Sequence, residues 1–273
     1  MPRVIRFRDL EPTWSTRRAR EPGFMRWLVT WVGGPAGHVN TNPGVAIESS
    51  QCAIGLMALP RGQRQSGRHV HGVTEIYVIL DGAVEGFDAS GHIHRAGPLD
   101  CTSIPPGCPH GVRNCGTDDV LLVWVHDGIE RDGVSAYYPD DHVFGDVPGI
   151  DLVRFADLLP DWSAPGAREP GTMRWSVNWV GSPTGPDAGG AVRNGRVSVG
   201  MTVLEPGHRI PALALPVTRF CLVIQGEAIL DHDAGTIALG RLDGVQVQAG
   251  KAAALRNDGP ASLHLLWVDC PPG

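Results

Sequence analysis

The chain has 273 residues and a formal net charge of -6, with acidic and basic residues interspersed. That length can bury one large core or two of ordinary size, and the charge pattern leaves no basic footprint for nucleic acid or for an anionic membrane. No apolar run is long enough for a signal peptide or a membrane span, so the sequence predicts a cytoplasmic protein.

Gly 36 and Pro 23, set among many short apolar runs, predict an all-β chain of short strands closed by tight turns. Residues 26–32 alternate Trp27, Val29 and Trp31 with Arg26, Leu28 and Thr30, the pattern of a half-exposed strand. Residues 52–59, 75–80, 99–104 and 120–125 follow as β-rich runs, and Asp81-Gly82 supplies a hairpin turn after the central one. His69 and His71, one residue apart on an extended stretch, point to the same side roughly 7 Å apart along the chain, so both can reach one ion. Glu75 lies beyond a short turn at Gly72-Val73-Thr74, and a further candidate ligand, His110, sits in Ile104-Pro105-Pro106-Gly107-Cys108-Pro109-His110. Tyr77 and Ile79 share strand parity with Glu75 and should face the same interior. Tyr77 could donate a hydrogen bond or proton to a substrate, or serve as a structural tyrosine.

Other residues carry plainer expectations. His126, on the same face as Trp124 and beside Asp127, could reach the same interior or simply sit near a strand end, and the second reading is the one taken. His92 and His94 form a second His-x-His that lacks a matching carboxylate and reads as a solvated strand edge. Six cysteines stand without a Cys-x-x-Cys pair and read as buried thiols, Cys108 included.

The second half of the chain repeats the first. Ala19-Arg20-Glu21-Pro22-Gly23 recurs as Ala167-Arg168-Glu169-Pro170-Gly171, and Met25-Arg26-Trp27 as Met173-Arg174-Trp175. All eight tryptophans pair: 14 with 162, 27 with 175, 31 with 179 and 124 with 267. The expected domains are 1–128 and 150–273, joined by a polar linker at 129–149. The ligand candidates are not repeated. His69, His71, Glu75 and His110 align with Leu213, Leu215, Arg219 and Ala253, a joint loss that a single shared role predicts, because unpaired polar groups in a barrel interior are costly. The Ala-Arg-Glu-Pro-Gly and Trp-x-x-x-Trp segments survive in the half without ligands, which suggests packing between repeats or between subunits.

His69-x-His71, Glu75 and Gly82, followed by Pro105, Gly107, His110 and Asn114, resemble the two signature motifs of the cupin superfamily. Gly97 departs from the family pattern, lying two residues further from the proline than usual. The resemblance covers nearly the whole chain and implies two tandem jelly-roll β-barrels, the first with a complete ligand set and the second without one. It implies one divalent transition metal (iron, manganese, nickel, cobalt or zinc) on His69, His71, Glu75 and His110. With four protein ligands, a six-coordinate ion keeps two positions open, as a catalytic site requires. Neutral histidines are needed, so metal should be lost below roughly pH 6. Cupins include dioxygenases, isomerases, decarboxylases, lyases and binding proteins, and the fold does not select among them. The leading expectation is an oxygenase acting on a small organic molecule, with Glu75 and Tyr77 as catalytic residues. An isomerase or lyase using Lewis-acid catalysis, and a non-catalytic binder, are the alternatives. A homo-oligomer is compatible with all three.

Overall fold

The computed structural model describes residues 1–181 and 190–272. Among these the regular structure is strand, apart from two single-turn 3-10 segments, Phe7–Asp9 and Phe155–Asp157, and no helix is long and apolar enough to cross a membrane. The chain forms two β-barrels of one design. One compact unit is Leu10–Asp157, and the other joins Met1–Asp9 to Leu158–Gly273.

In the first unit a seven-stranded sheet runs in the order Asp151–Val153, Cys101–Ile104, Glu75–Asp81, Val120–His126, Ala53–Leu59, Trp27–Gly33, Ile47–Glu48. Smaller sheets complete it: Gly111–Asn114 with Val84–Phe87 and Ile93–Ala96, and Arg68–Val70 with Ala136–Tyr138. The core contains Met57, Leu59, Tyr77, Ile79, Ile104, Val112, Leu122 and Trp124. Trp27–Gly33 is less exposed than its alternation suggests. From Val29 onward it is buried on both faces, because Asn42 and Thr41 cover the polar side, with Asn42 accepting the Thr30 amide at 2.7 Å.

The other unit repeats the plan. Its seven-stranded sheet runs Arg3–Ile5, Gly244–Val247, Thr218–Gln225, Leu263–Cys270, Ser198–Leu204, Arg174–Gly181, Val192–Arg193. A four-stranded sheet of Arg209–Ile210, Ala254–Arg256, Ala228–His232 and Gly235–Leu239 lies in the same unit. Small residues set the strand spacing where tryptophan packs. A Cβ on Gly55 would stand 2.2 Å from the Trp124 ring, and one on Gly200 equally close to Trp267.

The first strand of each sequence repeat is exchanged into the other repeat's sheet, which places the limits of the compact units away from 1–128 and 150–273. Arg3–Ile5 pairs with Gly244–Val247, and Asp151–Val153 pairs with Cys101–Ile104. One aspartate anchors each exchanged strand: Asp243 accepts from Arg6 at 2.8 Å and the Phe7 amide at 2.9 Å, and Asp100 accepts from Arg154 and the Phe155 amide at 2.9 Å each. The stretch 129–149 is likewise more than a linker, since Ala136–Tyr138 is a strand of the first barrel paired with Arg68–Val70.

The repeated Ala-Arg-Glu-Pro-Gly segments have a local role. Buried Arg26 donates to the carbonyls of Phe24 and Arg17, and Arg174 donates to those of Thr172 and Pro165, so each arginine ties down its own loop. Asn114 and Asn257 also act alike. Each side-chain amide donates to two backbone carbonyls, Leu59 and Asp118 or Leu204 and Ala261, and its oxygen accepts the amide two residues on.

Candidate metal centre

Backbone pairing brings the four candidate ligands together. His69 and His110 exchange both backbone hydrogen bonds at 2.9 Å, and the Gly107 amide donates to the His71 carbonyl, also at 2.9 Å. Glu75 begins the strand between Cys101–Ile104 and Val120–His126, opposite Ile104 on one side and His126 on the other. Residues opposite one another across an antiparallel pair face the same side, so Glu75 and His126 both point into the barrel. One ligand atom from each of His69, His71, Glu75 and His110 lies within 4.8 Å of all the others. His69, Glu75 and His110 are buried, at 6%, 6% and 1% exposure.

Glu75 Oε2 is the meeting point. His110 Nε2 stands 2.8 Å from it, His71 Nε2 3.4 Å and His69 Nε2 3.8 Å, and Tyr77 donates its hydroxyl to the same oxygen at 2.8 Å. The distal nitrogens are aimed by what holds the proximal ones. His110 Nδ1 lies 2.9 Å from the Cys108 carbonyl, which can only accept, so this nitrogen carries the proton. In the neutral ring that leaves a bare Nε2 facing the carboxylate. With the rings neutral, three imidazole nitrogens gathered around one carboxylate oxygen are an arrangement that a cation satisfies, so the donor set fits a divalent ion.

The electrostatics differ along the His-x-His pair. Burial and the neighbouring His110 hold the His69 pKa well below the ordinary histidine value, so it is neutral at physiological pH. Burial also opposes a charge on His71, but Glu75 on one side and Glu130 on the other outweigh it and raise its pKa to about 10. Burial alone would raise the Glu75 carboxyl; the charge of His71 and the close approach of the His110, His126 and His71 ring nitrogens hold it well below the usual range. Burial and Glu75 raise the Tyr77 hydroxyl, which therefore stays a donor.

Two residues outside the expected set complete the site. His126, read from sequence as a strand-end residue, places Nε2 3.2 Å from Glu75 Oε1, and its Nδ1 is buried without a hydrogen-bond partner. Glu130, inside the expected linker, takes His71 Nδ1 at 2.6 Å and the Gly72 amide at 2.6 Å. His126 had a signal in the repeat, since Trp124 aligns with Trp267 and so His126 with Asp269. Glu130 had none, because it lies in the stretch 129–149 that reads as a polar linker.

The plainer expectations resolve as follows. Cys108 is a passive thiol, with burial pushing its pKa up to about 12. All six cysteines are free; five are buried and Cys115 is exposed. The second His-x-His does have a carboxylate, because His94 Nε2 lies 3.3 Å from Asp88 Oδ2.

At the matching place in the other barrel, Arg219 makes a two-pronged ion pair with Asp269, at 2.6 and 2.7 Å, and its guanidinium lies over the Trp267 ring. Arg219 and Asp269 occupy the same paired register as Glu75 and His126. Leu215 takes the place of His71, and its carbonyl accepts from Gly250 as that of His71 does from Gly107.

Residues 55–126 match the family model of the cupin domain. Known structures share the fold over the full chain. The bacterial pirin YhhW of Escherichia coli, solved in complex with nickel(II), is 16% identical, with a TM-score of 0.67 and 100% of both chains covered. The oxalate decarboxylase of Lactobacillus farciminis, solved as a formate complex, is 15% identical, with a TM-score of 0.65, covering 99% of this chain and 86% of that one. The salicylate 1,2-dioxygenase of Pseudoaminobacter salicylatoxidans, solved as a mutant in complex with gentisate, is 16% identical, with a TM-score of 0.63 and coverage of 96% and 82%. At these identities the likeness is one of fold. No protein of curated function matches by sequence. Residues 55–126 thus carry a cupin domain, and the chain as a whole has the tandem-barrel fold of these structures.

Proposed function

We propose that the first barrel holds one divalent transition metal on His69, His71, Glu75 and His110, that the second barrel holds none, and that the protein is an oxygenase acting on a small organic molecule. The observation that carries this reading is the convergence of four ligand atoms within 4.8 Å at a largely buried point. Cupin neighbours solved with gentisate and with formate support a small organic substrate. Bound there, the ion would supply Lewis acidity and, for a redox metal, a path for electrons.

The protein's own part is to hold the ligands and manage protons. Tyr77 donates to Glu75 Oε2 and His126 pairs with Oε1, so the carboxylate is held at both oxygens while burial limits access by water. Glu75, once loosened from its partners, can accept a proton from substrate.

The test is anaerobic loading with iron(II), followed by oxygen uptake with a panel of enols and catechols. Uptake that needs both iron and substrate, and that His69→Ala abolishes, is the expected result. Turnover under nitrogen without uptake would instead make the protein a Lewis-acid isomerase or lyase, and bound metal with no turnover a binder.

A further inference from the structure

The segment following Val120–His126 lies against the His-x-His pair. Ser135 Oγ approaches His71 Nδ1 at 3.3 Å, Tyr137 pairs with His69 in register and stacks its ring on the imidazole at 5.6 Å, and Glu130 makes the two short contacts described above. Glu130 is only 7% exposed, and its two oxygens meet two donors, the Gly72 amide and His71 Nδ1. Burying a carboxylate is costly unless its hydrogen bonds are made, so this one has a defined task.

We propose that Glu130 is a positioning residue of the metal centre, holding His71 by its Nδ1–H so that Nε2 is the nitrogen left bare and aimed at Glu75, His69 and His110. The inference rests on the metal reading above. A carboxylate can only accept, so the proton of a neutral His71 must sit on Nδ1. Ligating histidines commonly donate their other ring nitrogen in this way, which fixes ring orientation and tautomer. Glutamine at this position could not serve both donors. Its oxygen can take one, but its amide must then face the other, and an amide donating to Nδ1 would move the ring proton to Nε2 and block coordination. The near-isosteric Glu130→Gln should therefore harm metal binding at least as much as Glu130→Ala, which imposes no tautomer. A purely structural role ranks them the other way, with glutamine the milder change.

Cobalt(II) is a suitable probe, because its visible spectrum reports coordination. Affinity is measured by chelator competition in the wild type, Glu130→Gln and Glu130→Ala, with thermal unfolding of each metal-free protein alongside. Glu130→Gln should lose about 10- to 100-fold in cobalt affinity, no less than Glu130→Ala, and its residual complex should show an altered spectrum. Wild-type affinity in Glu130→Gln, or a milder effect than alanine, overturns the proposal while leaving the metal site standing. Failure of the wild type to bind cobalt overturns both. Should the variants not fold, nitrogen-15 shifts of the histidine rings in zinc-loaded wild type decide the matter: His71 bound through Nε2 with a proton on Nδ1 is expected, and binding through Nδ1 would refute it.

Discussion

His69 and His71 are one residue apart and carry protons differently. Burial keeps His69 neutral and ready to ligate, whereas His71, between two carboxylates, has its pKa raised to about 10. An ion must therefore displace the His71 proton. Apparent metal affinity should rise with pH up to about pH 10, roughly tenfold per unit, and fall as pH drops, so competition by protons begins well above the pH of roughly 6 expected for ordinary histidines. Calorimetric titration in two buffers of different ionisation enthalpy at pH 7.5 should show about one proton released per ion; binding without release would contradict the His71 assignment. At this scale the cluster of His69, His71, Glu75 and His110 was legible because these residues lie in compact local patterns. Glu130 was not, because its contact with His71 spans 59 residues.

Among the strands, the repeat provides an internal control. Trp124 and Trp267 each press on a glycine of the neighbouring strand, Gly55 and Gly200. Alanine at either position must push the indole aside in a closely packed core, which typically costs about 1–3 kcal/mol. Chemical denaturation should show similar losses for Gly55→Ala and Gly200→Ala. Only Gly55→Ala should also weaken metal binding, because the Trp124 ring lies 5.2 Å from that of His126; equal metal affinity in the two variants would show that the indole does not support the site. Strand positions were legible from alternation and turn residues to within a residue or two. The exchange of Arg3–Ile5 and Asp151–Val153 was not, because equivalent segments of a repeat fit either sheet equally well and sequence pattern cannot choose between them. Nor was burial of both faces of Trp27–Gly33, since the cover comes from Asn42 in a loop with no periodicity.

For the molecule as a whole, the two barrels share one skeleton and have different interiors. Turn glycines, tryptophans, loop-capping arginines and turn asparagines recur in both. Where the first barrel gathers imidazoles around Glu75, the second has Arg219 bound to Asp269, and a guanidinium at that point repels a cation. The fold and this contrast were readable from self-comparison, because both depend on which residue types recur at matched positions. The chemistry performed was not readable, since it depends on the shape of the pocket around the ligands. Elemental analysis of the purified wild type and His69→Ala, with Arg219→Ala as a control in the other barrel, bears on the assignment directly. One divalent ion per chain in the wild type and in Arg219→Ala, and none in His69→Ala, is the expected result; equal metal in wild type and His69→Ala would contradict it.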